Sequence, residues 1–215
     1  MAAASSAVVR RRTIALMTSL DFPLTTAHAA REVLREWISS DALRGHCEGV
    51  AACMEGHARR LAPSEVERWT IAGLLHDLDY ERHPTPAEHP RVGVEFLRSR
   101  GVDEEILEAI LGHAEHTGTL RRTPMAKVLF AVDELSGFIT ACARVRPSRF
   151  DDLEPRSIRK KLKDKAFAAG VSREDVAKGI AEMTSAFDLD EDAHLAACIA
   201  ALREAAPRLG LAPAG

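Results

Sequence analysis

Four residues in this sequence carry ionisable side chains within otherwise apolar helical patterns, and they are the clearest candidates for chemistry. His46 lies on a stripe of residues that recurs every three or four positions between 43 and 61. His76 and Asp77 close the apolar run IAGLL, and Asp133 follows the run VLFAV. Burying a carboxylate without a partner costs several kcal/mol, so Asp133 must meet a cation, hydrogen-bond donors or a metal ion.

Two imidazoles and two carboxylates together suit a divalent cation of intermediate hardness, such as Mn, Fe, Co, Ni, Zn or Mg. Structural interpretations stay open for each residue. Asp133 is also compatible with a buried ion pair or an exposed helix edge, and His46 with a hydrogen-bonded core histidine. The pair His76-Asp77 is also compatible with a capping or loop contact.

Three further histidines are candidate metal ligands. His89 sits at the mouth of a predicted helix, and His113 and His116 are three residues apart on one helical face. We expect His89 and His113 to bind metal. We leave His116 open, because an exposed histidine in the last turn of a helix is favoured by the helix dipole alone. His57 and His83 are interpreted as bystanders.

The composition excludes several classes of protein. The chain has 215 residues, 46% of them hydrophobic and 28% charged, which is typical of a globular protein. A net charge of -3 argues against a dedicated nucleic-acid binder, and no apolar run approaches the about 20 residues of a membrane span. Four cysteines without a C-x-x-C pair predict a reduced, cytoplasmic protein.

The elements that must position these residues are helices, because helical periodicity dominates and strand signals are nearly absent. We predict an all-α domain of eight or nine helices over 20–206, with a disordered tail over 1–19 and a flexible tail over 207–215. Translation could begin at Met1 or at Met17. The predicted helices cover about 26–40, 43–61, 64–76, 90–100, 103–116, 123–145, 155–168, 172–186 and 190–206.

The ordered set His46, His76-Asp77 and Asp133 resembles the H…HD…D pattern of the HD-domain metal-dependent phosphohydrolase superfamily. The segments GLLHDLDYE, KVLFAVDELSGFITA and RKKLKDKAFAAGVSRED are similar to those of small stand-alone HD hydrolases. The resemblance covers roughly residues 20–205 and implies a compact helical fold. It also implies that these four residues hold one metal ion.

The histidines in EHPRVG and ILGHAEH resemble the HDIG and HD-GYP branches, in which extra histidines hold a second metal ion. The resemblance implies that Asp77 bridges to this second ion, held by His89 and His113, with His116 possible. Two ions, of unknown identity, are therefore expected.

Residues after the HD pair depart from those branches. Tyr80 stands where they have a lysine, and Asp79 replaces a glycine, so a lysine that would assist the leaving group or the phosphate is missing. Asp79 or Glu81 is then the candidate general acid, and Asp77 the other catalytic residue. No GYP tripeptide follows, so specificity for cyclic-di-GMP is not expected.

These features predict a phosphodiesterase or phosphomonoesterase that attacks a nucleotide, including a cyclic one, through a metal-activated hydroxide. In-line displacement also needs positive groups around the phosphate. The candidate substrate-binding residues are basic: Arg44, Arg91, Lys127, Lys161 and Lys165. The last two belong to the basic stretch 159–165, which is also compatible with a solvated helix face.

The expected partner is a small-molecule phosphoester, without a nucleic-acid polymer or a membrane, and a homo-oligomer is possible. Two alternatives remain. One is an HD-fold di-iron oxygenase, because some relatives use the same His/Asp set to activate oxygen. The other is a non-catalytic signalling or scaffold protein, which the complete ligand set disfavours.

Overall fold

Nine α-helices make up the computed structural model, which describes residues 24–212 and contains no strand in that range. The prediction of an all-α fold is therefore confirmed. The helices are α1 Ala27–Trp37, α2 Asp41–Leu61, α3 Val66–Leu75, α4 Arg91–Ser99, α5 Glu104–His113, α6 Pro124–Arg144, α7 Pro155–Leu162, α8 Arg173–Phe187 and α9 Glu191–Ala205.

Helix starts follow the capping residues of the sequence. The side chains of Thr26, Asp103 and Thr123 each accept a hydrogen bond from a backbone N–H in the first turn of α1, α5 and α6. Such a bond satisfies one of the free N–H groups at a helix start and contributes about 1 kcal/mol. Pro90, predicted as the first residue of α4, instead precedes the helix as its N-cap.

Helices α5 and α7 end earlier than predicted. Helix α5 ends at His113 rather than near 116, because Ala114 turns extended and the Thr117 hydroxyl donates to the free Leu111 carbonyl (2.8 Å). Helix α7 ends at Leu162 rather than near 168. Its expected last turns are replaced by a turn segment whose carbonyls, including that of Ala168 (2.6 Å), accept from the Arg173 guanidinium.

The two longest helices, α2 and α6, form the centre of the molecule. Helices α3 and α9 pack against α2, while α5 and α8 pack against α6, and α2 and α6 also contact each other. Apolar residues of all these helices share one buried cluster. Since α2 and α6 carry His46 and Asp133, the site residues are anchored in the most enclosed part of the fold.

The predicted tails are only partly within the described residues. The segment 1–19 lies outside them, as do residues 213–215. Within the predicted C-terminal tail, Leu211 is buried in the core cluster. As for membrane spans, no helix within 24–212 is both long and apolar enough to form one.

Two glycines in the packed helices should respond oppositely to the same substitution. A Cβ at Gly73 would lie 2.6 Å from the Cα of Ala51 on the facing helix, whereas a Cβ at Gly45 meets nothing within 4 Å. Gly73→Ala should therefore lower the free energy of unfolding by about 1–3 kcal/mol. Gly45→Ala should raise it by about 0.5–1 kcal/mol, since alanine favours the helix. Urea denaturation measures both, and equal effects would contradict the helix contact.

Candidate metal centre

Four of the predicted site residues converge from three parts of the chain. His46 comes from the second turn of α2, His76 and Asp77 from the end of α3, and Asp133 from the middle of α6. The Nε2 atom of His46 lies 3.0 Å from Asp133 Oδ1 and 3.2 Å from His76 Nε2. His76 Nε2 lies 3.5 Å from Asp77 Oδ2. These side chains surround one point at the edge of the core.

A second group of side chains meets the other oxygen of Asp77. The Nε2 atoms of His89 and His113 each lie 3.4 Å from Asp77 Oδ1. His113 is the last residue of α5, and His89 lies just before α4. Asp77 thus presents one oxygen to His46 and His76, and its other oxygen to His89 and His113.

The ring orientations of three of these histidines are set by hydrogen bonds on the far side of each ring. The Nδ1 atoms of His76 and His113 donate to the carbonyls of Gly73 (2.9 Å) and Ile110, three residues earlier in their helices. The Nδ1 atom of His89 donates to Asp79 (2.7 Å). Because Nδ1 carries a proton in each of these bonds, Nε2 is the nitrogen that each ring can offer to a metal ion, as in metal-ligating histidines.

The electrostatics of the site call for positive charge at its centre. Burial opposes a charge on His76, yet the carboxylates of Asp77 and Asp133 raise its pKa well above the ordinary histidine value. Burial would likewise raise the pKa of Asp77, but His76 and a hydrogen bond with His113 hold this pKa well below the usual range. A divalent cation would supply the positive charge that these partly buried carboxylates require.

The spacing of the donor atoms also fits a metal ion. Ligand atoms about 2.1 Å from an ion lie about 3.0–3.4 Å apart in octahedral or tetrahedral coordination. The separations among His46, His76, Asp77 and Asp133 run from 3.0 to 3.7 Å. The donor set is therefore nearly arranged for coordination. Two groups of three suit a metal ion: His46, His76 and Asp77, and Asp77, His89 and His113.

Asp79 does not occupy the position expected of a general acid. It is fully buried, accepts from His89 Nδ1, and accepts from the backbone N–H of Gly93 (2.6 Å) through its other oxygen. Its carboxylate thus lies behind His89 and away from the cavity. We reassign Asp79 as the group that orients His89. Glu81 is also turned away, because its carboxylate accepts from Ser39 and Ser40.

Three further histidines between residues 46 and 116 belong to neither ligand group. His116 donates from Nε2 to the His89 carbonyl (2.8 Å) and lines the cavity without joining either ligand group. His83 pairs with Glu88 on the surface (3.2 Å). His57 lies on the far side of α2 in the core, where it contacts His194.

A cavity of about 430 Å³ opens over the two ligand groups. Its wall adds three carboxylates, from Glu115, Glu134 and Asp175, and the aromatic rings of Tyr80 and Phe130. Glu134 is signalled in the sequence only by its place beside Asp133. Asp175 comes from the start of α8, more than forty residues beyond Asp133, and only the tertiary packing of α8 on α6 brings it here.

The basic residues predicted to bind substrate lie elsewhere. Within the described part of the chain, no lysine or arginine lines this cavity. Arg44 donates to the Ile38 carbonyl (2.7 Å), Arg91 to the Pro86 carbonyl (3.1 Å), and Lys161 to Asp164 (2.8 Å). Lys127 and Lys165 are likewise absent from the lining. Local partners hold the first three, so a role for any of the five in binding substrate stays a prediction that the cavity lining does not support.

Asp79→Asn tests the role of this carboxylate. Because the asparagine oxygen would keep the Gly93 N–H, its NH2 group would face His89 and move the imidazole proton to Nε2, which blocks ligation. We expect the affinity for one of two metal ions to fall about 10–100-fold, with helicity retained. Isothermal titration with Mn²⁺ measures this, and Glu88→Gln in the same loop is the control. Unchanged binding of both ions would exclude the assignment.

Comparison with known proteins agrees with this arrangement. The HD domain family model matches residues 43–137, a segment that runs from α2 into α6 and includes the five residues of the two ligand groups as well as Asp133. Over 90 residues the chain is 33% identical to Ribonuclease Y 2 of Levilactobacillus brevis, covering 41% of this chain and 15% of that protein. No solved structure gives a significant match. The HD domain family model thus matches a little under half of the chain, and this stretch holds the residues of both ligand groups.

Proposed function

We propose that this protein is a metal-dependent phosphohydrolase that cleaves a small nucleotide phosphoester at a centre of two divalent ions. One observation carries the proposal: the two oxygens of Asp77 face two separate histidine groups, 3.4–3.7 Å from their Nε2 atoms. A single carboxylate so placed is the arrangement that a shared ligand between two ions needs. His46, His76, Asp77 and Asp133 would hold one ion, and Asp77, His89 and His113 the other.

Bound at these residues, such ions would supply Lewis acidity toward the phosphoryl oxygens and make hydroxide available near neutral pH. The chain's own residues hold this chemistry in place. The carbonyls of Gly73 and Ile110 and the carboxylate of Asp79 fix the rings of His76, His113 and His89. The buried α2–α6 contact keeps His46 and Asp133 together, so little reorganisation is needed when substrate binds.

The substrate class follows from the cavity. Its volume of about 430 Å³ suits a small molecule. A nucleic-acid polymer is held mainly by basic groups along its backbone, and no described lysine or arginine lines this cavity. The name Ribonuclease Y 2 indicates that this relative acts on RNA, which favours a phosphodiester bond as the point of attack. We therefore favour a mono- or dinucleotide phosphodiester, including cyclic forms, over a polymer.

The four thiols are all buried and unbridged. We place the protein in the reducing cytoplasm, where such thiols persist and where nucleotides are abundant.

Metal stoichiometry and turnover test the centre. Asp77→Ala should lose both ions and lower kcat by about 100-fold or more, because both ligand groups use this carboxylate. His46→Ala and His113→Ala should each lose one ion of two. Elemental analysis measures metal content, and a panel of phosphomonoesters and linear and cyclic nucleotide phosphodiesters measures activity.

Asp151→Ala is the matched control, because Asp151 is an exposed carboxylate outside the site. Full turnover by a helical Asp77→Ala variant would refute the proposal. Oxygen uptake by the iron-loaded protein, without phosphoester cleavage, would contradict it in favour of an oxygenase.

The carboxylates of Glu115, Glu134 and Asp175 in the cavity wall should weaken the binding of an anionic substrate. Removing one of these charges should therefore raise the affinity for substrate. One charge near an anionic ligand in a solvated cavity is worth about 0.5–1 kcal/mol, so Asp175→Asn should lower KM about two- to five-fold. Lys165→Ala should leave KM unchanged, because Lys165 does not line the cavity. Steady-state kinetics at low ionic strength measure both. A raised KM in the lysine variant would restore Lys165 to the substrate site.

A further inference from the structure

Four buried side chains meet between α2 and α9, on the side of α2 that faces away from the candidate metal centre. Cys53 and His57 are four residues apart on α2, and His194 and Cys198 are four residues apart on α9. Residues four apart share one helical face. His57 contacts His194 and Cys53 contacts Cys198, so the two helices run antiparallel and the pairs face each other. All four side chains are at most 3% exposed.

The distances bring these donors close together. His57 Nε2 lies 3.0 Å from His194 Nδ1. One ring nitrogen of His57, one of His194 and Cys198 Sγ all lie within 4.8 Å of one another. The Cys53 side chain lies beside Cys198, with its Sγ 3.9 Å from the Cys198 carbonyl oxygen. Two thiols and two imidazoles are the donors of tetrahedral zinc sites, whose nitrogen and sulfur atoms lie about 3.5–3.8 Å apart.

In the pair His57–His194, one ring nitrogen is left without a hydrogen bond. His57 Nδ1 donates to the Cys53 carbonyl (3.0 Å), so its Nε2 is bare and accepts from His194 Nδ1. His194 Nε2 is then a bare nitrogen, fully buried, with no hydrogen bond of normal geometry to any described residue. Leaving such a group unsatisfied costs about 1–3 kcal/mol.

We propose that Cys53, His57, His194 and Cys198 form a second, structural metal site for a zinc-class ion. With the ion on His57 Nε2 and His194 Nδ1, the His194 proton moves to Nε2, where it faces the backbone of Ala131. Every nitrogen of the pair then has a partner. Two thiolates and one divalent ion carry no net charge, which suits the apolar interior.

The position of this site gives it a structural role. Cys53 and His57 belong to the segment 43–137 that matches the HD domain, whereas α9 lies outside it. The ion would fasten α9 to the helix that carries His46. The Cys198 thiol, whose pKa is raised well above the ordinary value by Cys53 and by burial, must lose its proton on binding. Metal uptake at this site therefore releases protons and accompanies folding.

Cobalt distinguishes this site from the candidate metal centre at Asp77, which has no cysteine ligand. Only thiolate ligands give intense near-ultraviolet charge-transfer absorption with Co²⁺. The full chain is produced in cobalt medium and handled reduced and without oxygen. We expect thiolate–cobalt absorption from the wild type. Cys198→Ser and Cys53→Ser should each abolish it and should lower metal content by one equivalent, with the cobalt of the HD centre retained.

Cys47→Ser and Cys142→Ser are the matched controls and should keep the absorption, since these cysteines are buried elsewhere. Thiol titration of the metal-loaded wild type serves as a second measurement that needs no variant to fold. Burial alone protects all four thiols in the folded protein. In denaturant, which exposes all four, two should react at once and two only after a chelator is added. Cobalt-loaded wild type without charge-transfer absorption would overturn the proposal. If two thiols stay unreactive in the titration until a reductant is added, the proposal would also be overturned, in favour of a Cys53–Cys198 disulfide.

Discussion

Burial of two carboxylates among four imidazoles is the constraint on which the rest of the structure depends. Asp77 and Asp133 lie where the end of α3 meets the middle of α6, and burial disfavours their charge. Only their neighbours hold the pKa of each carboxyl well below its ordinary value. The helices that supply those neighbours, α2, α3, α5 and α6, cannot move apart without leaving a charge buried and unpaired. The core is thus built around the site rather than beside it.

Helix packing converts this requirement into precise placement. Gly73 lets α3 approach the backbone of α2 closely, and Gly179 does the same for α8 and α6 at Ala131. The first contact sets the separation of His76 from His46, and the second carries Asp175 to the cavity wall. Positions far from the chemistry in sequence therefore decide its geometry, because densely packed interiors transmit small shifts.

The sequence predicted the site best where a polar residue occupied a position that helical periodicity assigns to the apolar face. His46 and Asp133 stood out as polar residues on apolar helical faces, and the caps Thr26, Asp103 and Thr123 set the start of three helices. Roles that depend on tertiary neighbours were not predictable. The burial of Asp79 behind His89 follows from the return of the chain between α3 and α4, and the basic residues turned out to serve local carbonyls and carboxylates.

The acidic wall of the cavity has a consequence for what leaves the site. Cleavage of a phosphodiester converts a singly charged group into a monoester with nearly two negative charges at neutral pH. If the protein cleaves a phosphodiester, as proposed, Glu115, Glu134 and Asp175 would face a product that carries more charge than the substrate did. Repulsion grows with that charge, so these carboxylates would weaken the binding of product more than the binding of substrate. The same charges that limit substrate affinity would then speed the release of product.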